Sequence, residues 1–427
     1  MYDMFGNADI ESALQKISKI PFGGYTGNKR RVLKNLWMAL EDEGIEFNSV
    51  FDAFSGSSVF SLFMKFMGKE VIANDFLTSS YLNALALVEN PGYRLTFEEM
   101  MFVVNNQPKY DVKDGFIYKN YKDIRFTEKE CIDLDRFRIN LSLLGNSDVS
   151  PTLGNDRGVG MYRHRIEGMN RDIPQIPHLF SDNQRASFDA WFSRYNSMTS
   201  ESVIHSDDKR IRMAKAFLLR NMESNILKNC FLGGRYNNGQ VIANLDHRIN
   251  HKNHNGAENI DFIKELLVDY FNPKYDILEG SYKPCVSLNC DIIELLENSD
   301  FVTDVIYLDP PYGGASTDYA YLYQFLEEYI YGEKMDEIDH IQNYGKRFVS
   351  KKTYEEHFLK MLELIDRFPI WMLSYNDSSW ESKERIIELL SKFRNNVTVH
   401  EVNNYIYKYR SDKTDKTGVE YIFIAKK

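Results

Sequence analysis

Residues 305–314 read VIYLDPPYGG, and within them Asp309, Pro310, Pro311 and Tyr312 form a tetrad with reactive potential. Neither proline can donate to a sheet ladder, and both hold φ near a fixed value, so an apolar strand running into them must stop by Asp309. Ligands bind at the carboxyl edge of a parallel sheet. There the tetrad would present the Asp309 carboxylate and the Pro310 carbonyl as two acceptors beside the flat wall of Tyr312. The exocyclic amine of a purine answers that set, with two N–H donors on one nitrogen and a flat ring. Its lone pair is delocalised into the ring and attacks poorly. Engaging both hydrogens favours a pyramidal nitrogen poised for in-line attack on a sulfonium methyl. Asp-Pro-Pro also punctuates ordinary turns, so the tetrad needs support from elsewhere in the chain.

Two further stretches supply it. In FDAFSGSSVF (51–60), Phe54 ends an apolar run, and Ser55, Gly56, Ser57 and Ser58 allow a sharp turn close to a ligand before a helix begins. Asp75 lies 19 residues beyond Gly56, where nucleotide-binding α/β folds place an acid on ribose hydroxyls. A GxGxxG pattern is absent, which disfavours a pyrophosphate. A ligand with a ribose and no phosphates, such as S-adenosylmethionine, suits the turn better. An ordinary strand-to-helix turn is the plain alternative. Upstream, PFGGYTGNKRRVLKNL (21–36) sets Tyr25 among glycines ahead of Lys29, whose ammonium can meet a carboxylate such as that of a methionine tail. Basic residues at a helix start oppose the helix dipole, so a purely structural role fits them less well.

The elements that must position these residues follow from periodicity. SVFDAF (49–54), EVIANDF (70–76), DVIYLDPP (304–311), PIWMLSYND (369–377) and EYIFIA (420–425) read as strands. VFSLFMKFMG and YEEHFLKMLELIDRF (354–368) read as helices. Alternating strands and helices predict a doubly wound α/β sheet. The middle of the chain carries mixed helical patterns and turn clusters, and reads as a mainly helical insertion. The resulting division is 1–92 and 281–427 for the catalytic sheet and 93–280 for the insertion.

Composition narrows the class. The chain has 427 residues, 43% of them hydrophobic, and a formal net charge of −10. That length exceeds a single core, and the acidic balance argues mildly against unspecific binding of polyanions. No apolar run of membrane-spanning length occurs and the amino terminus lacks a signal-peptide pattern, so a cytoplasmic protein with no membrane partner is expected. Cys131, Cys230, Cys285 and Cys290 show no metal-ligand spacing, and neither do His247, His251 and His254. No metal is therefore expected. The stretch from Lys209 to Lys252 holds nine Lys/Arg against Glu223 and Asp246. A solvated helix face is its simplest reading.

Taken together, the motifs identify the chain as similar to the Dam-like, adenine-N6 DNA methyltransferases. DPPY with Asp at its first position resembles that family's signature, GGYTGNKRRVL its amino-terminal cofactor loop, and DAFSGSSVFS its FxGxG motif with Ser58 replacing the second glycine. Residues 114–138, 317–329 and 407–424 are also similar. The order of cofactor motifs, helical target-recognition insertion and late DPPY is the family's own. The resemblance implies a Rossmann-like methyltransferase sheet and S-adenosylmethionine as cofactor. It places Tyr25 and Lys29 at the methionine end, Phe54 and Gly56 at the turn, Asp75 at the ribose and Asp291 near the adenosyl group. Asp291 equally suits a helix N-cap. Asp309 to Tyr312 would hold the target amine, with Asp309 also reaching the cofactor's ammonium.

The implied substrate is an adenine flipped out of double-stranded DNA. Beside such a site, the basic stretch, RGVGMYRHR (157–165) and the group Arg235, Tyr236, Asn237 and Asn238 suit phosphate clamping and major-groove reading. A cognate restriction endonuclease is a candidate partner, in a prokaryotic cytosol or a phage-infected cell. The competing readings are a cytosine-N4 methyltransferase, whose signature more often begins with serine, and a catalytically silent DNA-binding relative. An RNA or protein-amine methyltransferase more often begins its signature with asparagine.

Overall fold

Short runs of Val, Phe, Ile and Leu that are apolar at nearly every position suit strands buried on both faces. The computed structural model describes residues 9–22, 27–107, 111–144, 202–206, 208–229, 236–237, 240–241, 260–311, 319–338, 341, 347–348, 350–407 and 416–427. Seven strands form one sheet: β1 Ser49–Asp52, β2 Glu70–Asn74, β3 Cys285–Leu288, β4 Val305–Leu308, β5 Ile370–Asn376, β6 Asn396–Tyr407 and β7 Lys416–Lys426. Their spatial order is β3-β2-β1-β4-β5-β7-β6. The first five run parallel, and β7 inserts antiparallel between β5 and β6.

Side chains alternate across this sheet as the two-residue period requires. Val50, Val71, Val305, Met372 and Ile422 face one core, while Phe51, Ile72, Ile306, Trp371 and Phe423 face the other. The first core is covered by α1 Ile10–Lys19, α2 Leu33–Asp42, α3 Val59–Phe66, α4 Thr78–Ala84, α5 Phe97–Asn105, α6 Phe116–Tyr121, α7 Glu128–Leu143, α8 Lys209–Asn229 and α9 Phe262–Tyr270. The second is covered by α10 Ile292–Glu297, α13 Tyr354–Leu364 and α14 Lys383–Ser391, while α11 Tyr319–Leu322 and α12 Gln324–Tyr331 return to the first. Helices on both faces make the sheet doubly wound. No helix of the described residues is long and apolar enough to cross a membrane.

The five expected strands all form, each within a few residues of its expected ends. One strand, β6, went unrecognised in the sequence. β6 is an edge strand whose described residues 396–403 are all half-buried or exposed, so its composition is too polar to announce itself. β3 is only four residues long. Between β2 and β3 the described residues are mainly helical, and α5 to α9 share their core with the sheet.

Candidate active site

Chain order runs outward from β1 through β2 to β3 on one side and from β4 to β5 on the other. The carboxyl ends of β1 and β4 therefore flank the point where the winding reverses, which is where open α/β sheets bind ligands. A cavity of about 930 Å³, open to solvent, lies there. Asp52, Phe54, Gly56, Asp75, Asp291 and Asp309 all line it.

The turn after β1 is built from conformation and hydrogen bonds together. Gly56 has φ of 49° and Ser58 has φ of 59°. The second motif position thus adopts the left-handed conformation that favours glycine although serine occupies it, at a cost of roughly 1 kcal/mol. The Asp75 carboxylate holds this turn, accepting the Gly56 N–H at 2.8 Å and the Leu77 N–H at 3.0 Å. Burial pushes Asp75 up to about 7 against these hydrogen bonds. Asn74, fully buried, donates to the Ala53 and Cys290 carbonyls and accepts the Cys290 N–H. One amide thereby pins the ends of β1 and β2 to the start of the loop that carries Asp291.

Asp291 caps α10, accepting the N–H groups of Ile293 and Glu294, and pairs with Arg347 at 3.1 Å. The expected N-cap is thus formed, and the residue lines the cavity as well. Asp52, at the end of β1, was not expected at all. One of its oxygens accepts from Ser61 Oγ at 2.5 Å, and the other is buried without a partner. Burial pushes this carboxyl up to about 8, with the Ser61 hydrogen bond opposing and the Asp309 and Asp75 charges adding to the rise.

Lys29 enters from the far side of the cavity. The Asn28 side chain accepts the Arg30 N–H and starts a 3-10 turn over Lys29–Arg31, which turns Lys29 inward and leaves the Arg30 guanidinium on the Ile17 carbonyl. Buried, the Lys29 ammonium lies 3.2 Å from Asp309 Oδ1 and 2.6 Å from Glu420 Oε1. Burial alone would lower its pKa, but Asp309 and then Glu420 outweigh it and hold the ammonium well above its ordinary value. Both of these carboxylates belong to the chain itself, distinct from the ligand carboxylate that the sequence suggested for Lys29.

Asp309 follows directly on β4, and Pro311 lines the cavity beside it. Phe54 meets Phe348 edge to face at 5.6 Å on the cavity wall, and Tyr319 also lines the cavity. Tyr319 lies in the family-like stretch 317–329 without a role having been expected of it, and Phe348 lies in no motif. Tyr25, Tyr312, Arg235 and Asn238 lie outside the described residues, as does 157–165. Tyr236 and Asn237 pair antiparallel with Val241 and Gln240 in a separate two-stranded hairpin.

Four of the nine cations in the basic stretch are corrected, while Arg235, Arg248 and Lys252 lie outside the described residues. On α8, Lys215 and Arg220 are buried: Lys215 donates to the Leu144 and His205 carbonyls, and Arg220 to the Tyr275 hydroxyl and Asn83. Lys209 pairs with Glu89 and Arg210 with Glu99. These four cations hold the fold together and form neither a solvated face nor a phosphate-binding stripe. Among the described residues, no group of three or more His, Cys, Asp and Glu side chains could hold a metal ion. Cys131, Cys285 and Cys290 are free and buried.

Comparison with known proteins agrees with this geometry. The family of D12 class N6 adenine-specific DNA methyltransferases matches residues 25–146, which contain Lys29, the turn after β1 and Asp75. The Type II methyltransferase M2.HphI of Haemophilus parahaemolyticus is 28% identical over 407 residues, spanning 95% of this chain and 98% of that protein. The family match favours adenine N6 over cytosine N4 as the methylated position. The motifs, their order, the cavity at the winding reversal and the family match over residues 25–146 agree, and they support an adenine-specific DNA methyltransferase.

Proposed function

We propose that this enzyme binds S-adenosylmethionine in the cavity at the β1/β4 reversal and methylates N6 of an adenine flipped out of duplex DNA at a specific sequence. The supporting observation is the convergence of Asp52, Asp75, Asp291 and Asp309 on one cavity of about 930 Å³. The donor set fits as well: carboxylates for ribose hydroxyls and for a cation, an aromatic pair at Phe54 and Phe348 for a purine face, and no phosphate cradle. The bound cofactor would supply an electrophilic sulfonium methyl group.

The chain's own residues do the rest. Asp75 holds the turn at Gly56 and accepts from the ribose. Tyr25 and Lys29 line the methionine end, Phe54 the adenosyl face, and Asp291 the neighbouring edge. Asp309 and the Pro310 carbonyl take the two N–H bonds of the target amine, Pro311 keeps the backbone extended, and Tyr312 stacks on the base. The methylated amine is cationic and loses its proton readily, so Asp309 orients the nitrogen and need not act as a strong base. Segment 93–280 serves target recognition between the two parts of the catalytic domain, 1–92 and 281–427, with Arg235, Tyr236, Asn237 and Asn238 reading the duplex. The cytoplasm, alongside a cognate restriction endonuclease, is the setting this reading favours. The test is to incubate unmethylated duplex DNA with the enzyme and S-adenosylmethionine, digest it to nucleosides and weigh them. N6-methyladenosine in its deoxy form is expected. Methylation at cytosine N4, or none, refutes the reading.

A further inference from the structure

Glu420 lies in the stretch 407–424 that resembles the family, but the sequence assigned it no role. It sits on β7, in register with Asn376 of β5 and Val402 of β6, and its side chain is almost fully buried. From there it reaches across β5: Glu420 Oε1 accepts from Ser374 Oγ at 3.1 Å and from the Lys29 ammonium at 2.6 Å. Lys29 in turn meets Asp309 at 3.2 Å. Lys29 and Asp309 line the cavity, whereas Glu420 does not.

Two carboxylates, the buried Glu420 and the half-buried Asp309, surround one buried ammonium beneath the site. Stability does not call for such a cluster, because apolar side chains of similar volume usually serve a core as well or better. The arrangement makes sense if the lysine must stay charged and immobile. A single carboxylate partner would leave the ammonium able to follow Asp309 as that side chain moves. A second carboxylate, anchored by Ser374 on the neighbouring strand, fixes the ammonium from behind, and the ammonium then fixes Asp309.

We propose that Glu420 is a positioning residue for methyl transfer: through Lys29 it locks the Asp309 carboxylate in the orientation that receives the target amine. This rests on the reading of Asp309 as the amine's acceptor. Glu420 touches no ligand, and its effect falls on transfer more than on binding. The groups facing the Lys29 ammonium are Asp309 and Tyr307 from the end of β4, Glu420 from β7 and Tyr319 from α11, with Asp52 beside Asp309. Losing Glu420's charge removes one of the two carboxylates that oppose burial, so Lys29 gives up its proton at lower pH.

The test measures single-turnover methyl transfer from S-adenosylmethionine to duplex DNA across about pH 6.5 to 9.5 for Glu420→Gln and Glu420→Asp, alongside Asp309→Ala. DNA and cofactor affinities and the denaturation midpoint are measured in parallel. Misplacement by about 1 Å costs on the order of 100-fold, so Glu420→Gln should slow transfer roughly 10- to 100-fold while both affinities change little. Its rate should also fall toward alkaline pH where wild type does not, and Glu420→Asp, which keeps the charge, should lack that fall. A wild-type rate and pH profile in Glu420→Gln overturns the proposal, as does a loss that only tracks the folded fraction at every pH. If Glu420→Gln does not fold, Glu420→Asp decides alone, since a shorter reach must slow transfer and a wild-type rate there overturns the idea. Asp309→Ala separates the two levels. Its retention of activity sinks the underlying reading, whereas its inactivity beside an unaffected Glu420→Gln sinks only the role of Glu420.

Discussion

On the proposed function, the Asp52 carboxyl should make binding of a cationic cofactor depend on pH. In the ligand-free protein burial raises it from the ordinary 3.8 to about 8. A carboxyl whose folded pKa is raised favours the protonated state, so the ligand-free protein loses stability as pH climbs through that window. A cation placed within about 4–6 Å pulls a carboxyl's pKa down by roughly 1–3 units. Taking two units, at about 1.4 kcal/mol each, the affinity for the cation rises on the order of 100-fold between roughly pH 5.5 and 8, and binding releases protons in between. Isothermal titration of S-adenosylmethionine in two buffers of different ionisation heat reads both quantities. S-adenosylhomocysteine, whose sulfur is neutral, should show a shallower dependence, and Asp52→Asn should flatten both. An affinity for S-adenosylmethionine that stays constant from pH 6 to 8, with heats independent of buffer, would refute the reasoning.

Three other substitutions probe the site's construction. Asp309→Ala should slow methyl transfer by on the order of 1000-fold or more while DNA binding changes little, as a filter-binding assay beside a rate measurement would read. Ser58→Ala removes a buried hydroxyl that lacks a hydrogen-bond partner and should stabilise the fold by roughly 1 kcal/mol in urea denaturation. A loss of stability there would mean that the hydroxyl is satisfied. Asn74→Ala strips three buried hydrogen bonds from the strand ends and should destabilise by about 3 kcal/mol, with weaker cofactor binding; a change under about 0.5 kcal/mol would show that the strand ends are held by other means.

Local chemistry was legible in the sequence. Proline's missing N–H stops β4 beside Asp309 wherever the strand lies, and a glycine amid serines permits a tight turn whatever packs around it. Apolar runs located five strands, because a strand buried on both faces must be apolar at successive positions. The polar edge strand β6 escaped this logic, since pairing with β7, and not burial, makes it a strand. Charge partners were decided only by the tertiary structure. Lys29 and Glu420 stand 391 positions apart and meet at 2.6 Å, Asp52 looks like any strand-end acid until burial raises its pKa, and the lysine and arginine at 215 and 220 turn out to be internal. A sequence states which side chains carry charge. Which of them lose water, and against what partner, depends on distances that exist only once distant segments pack together.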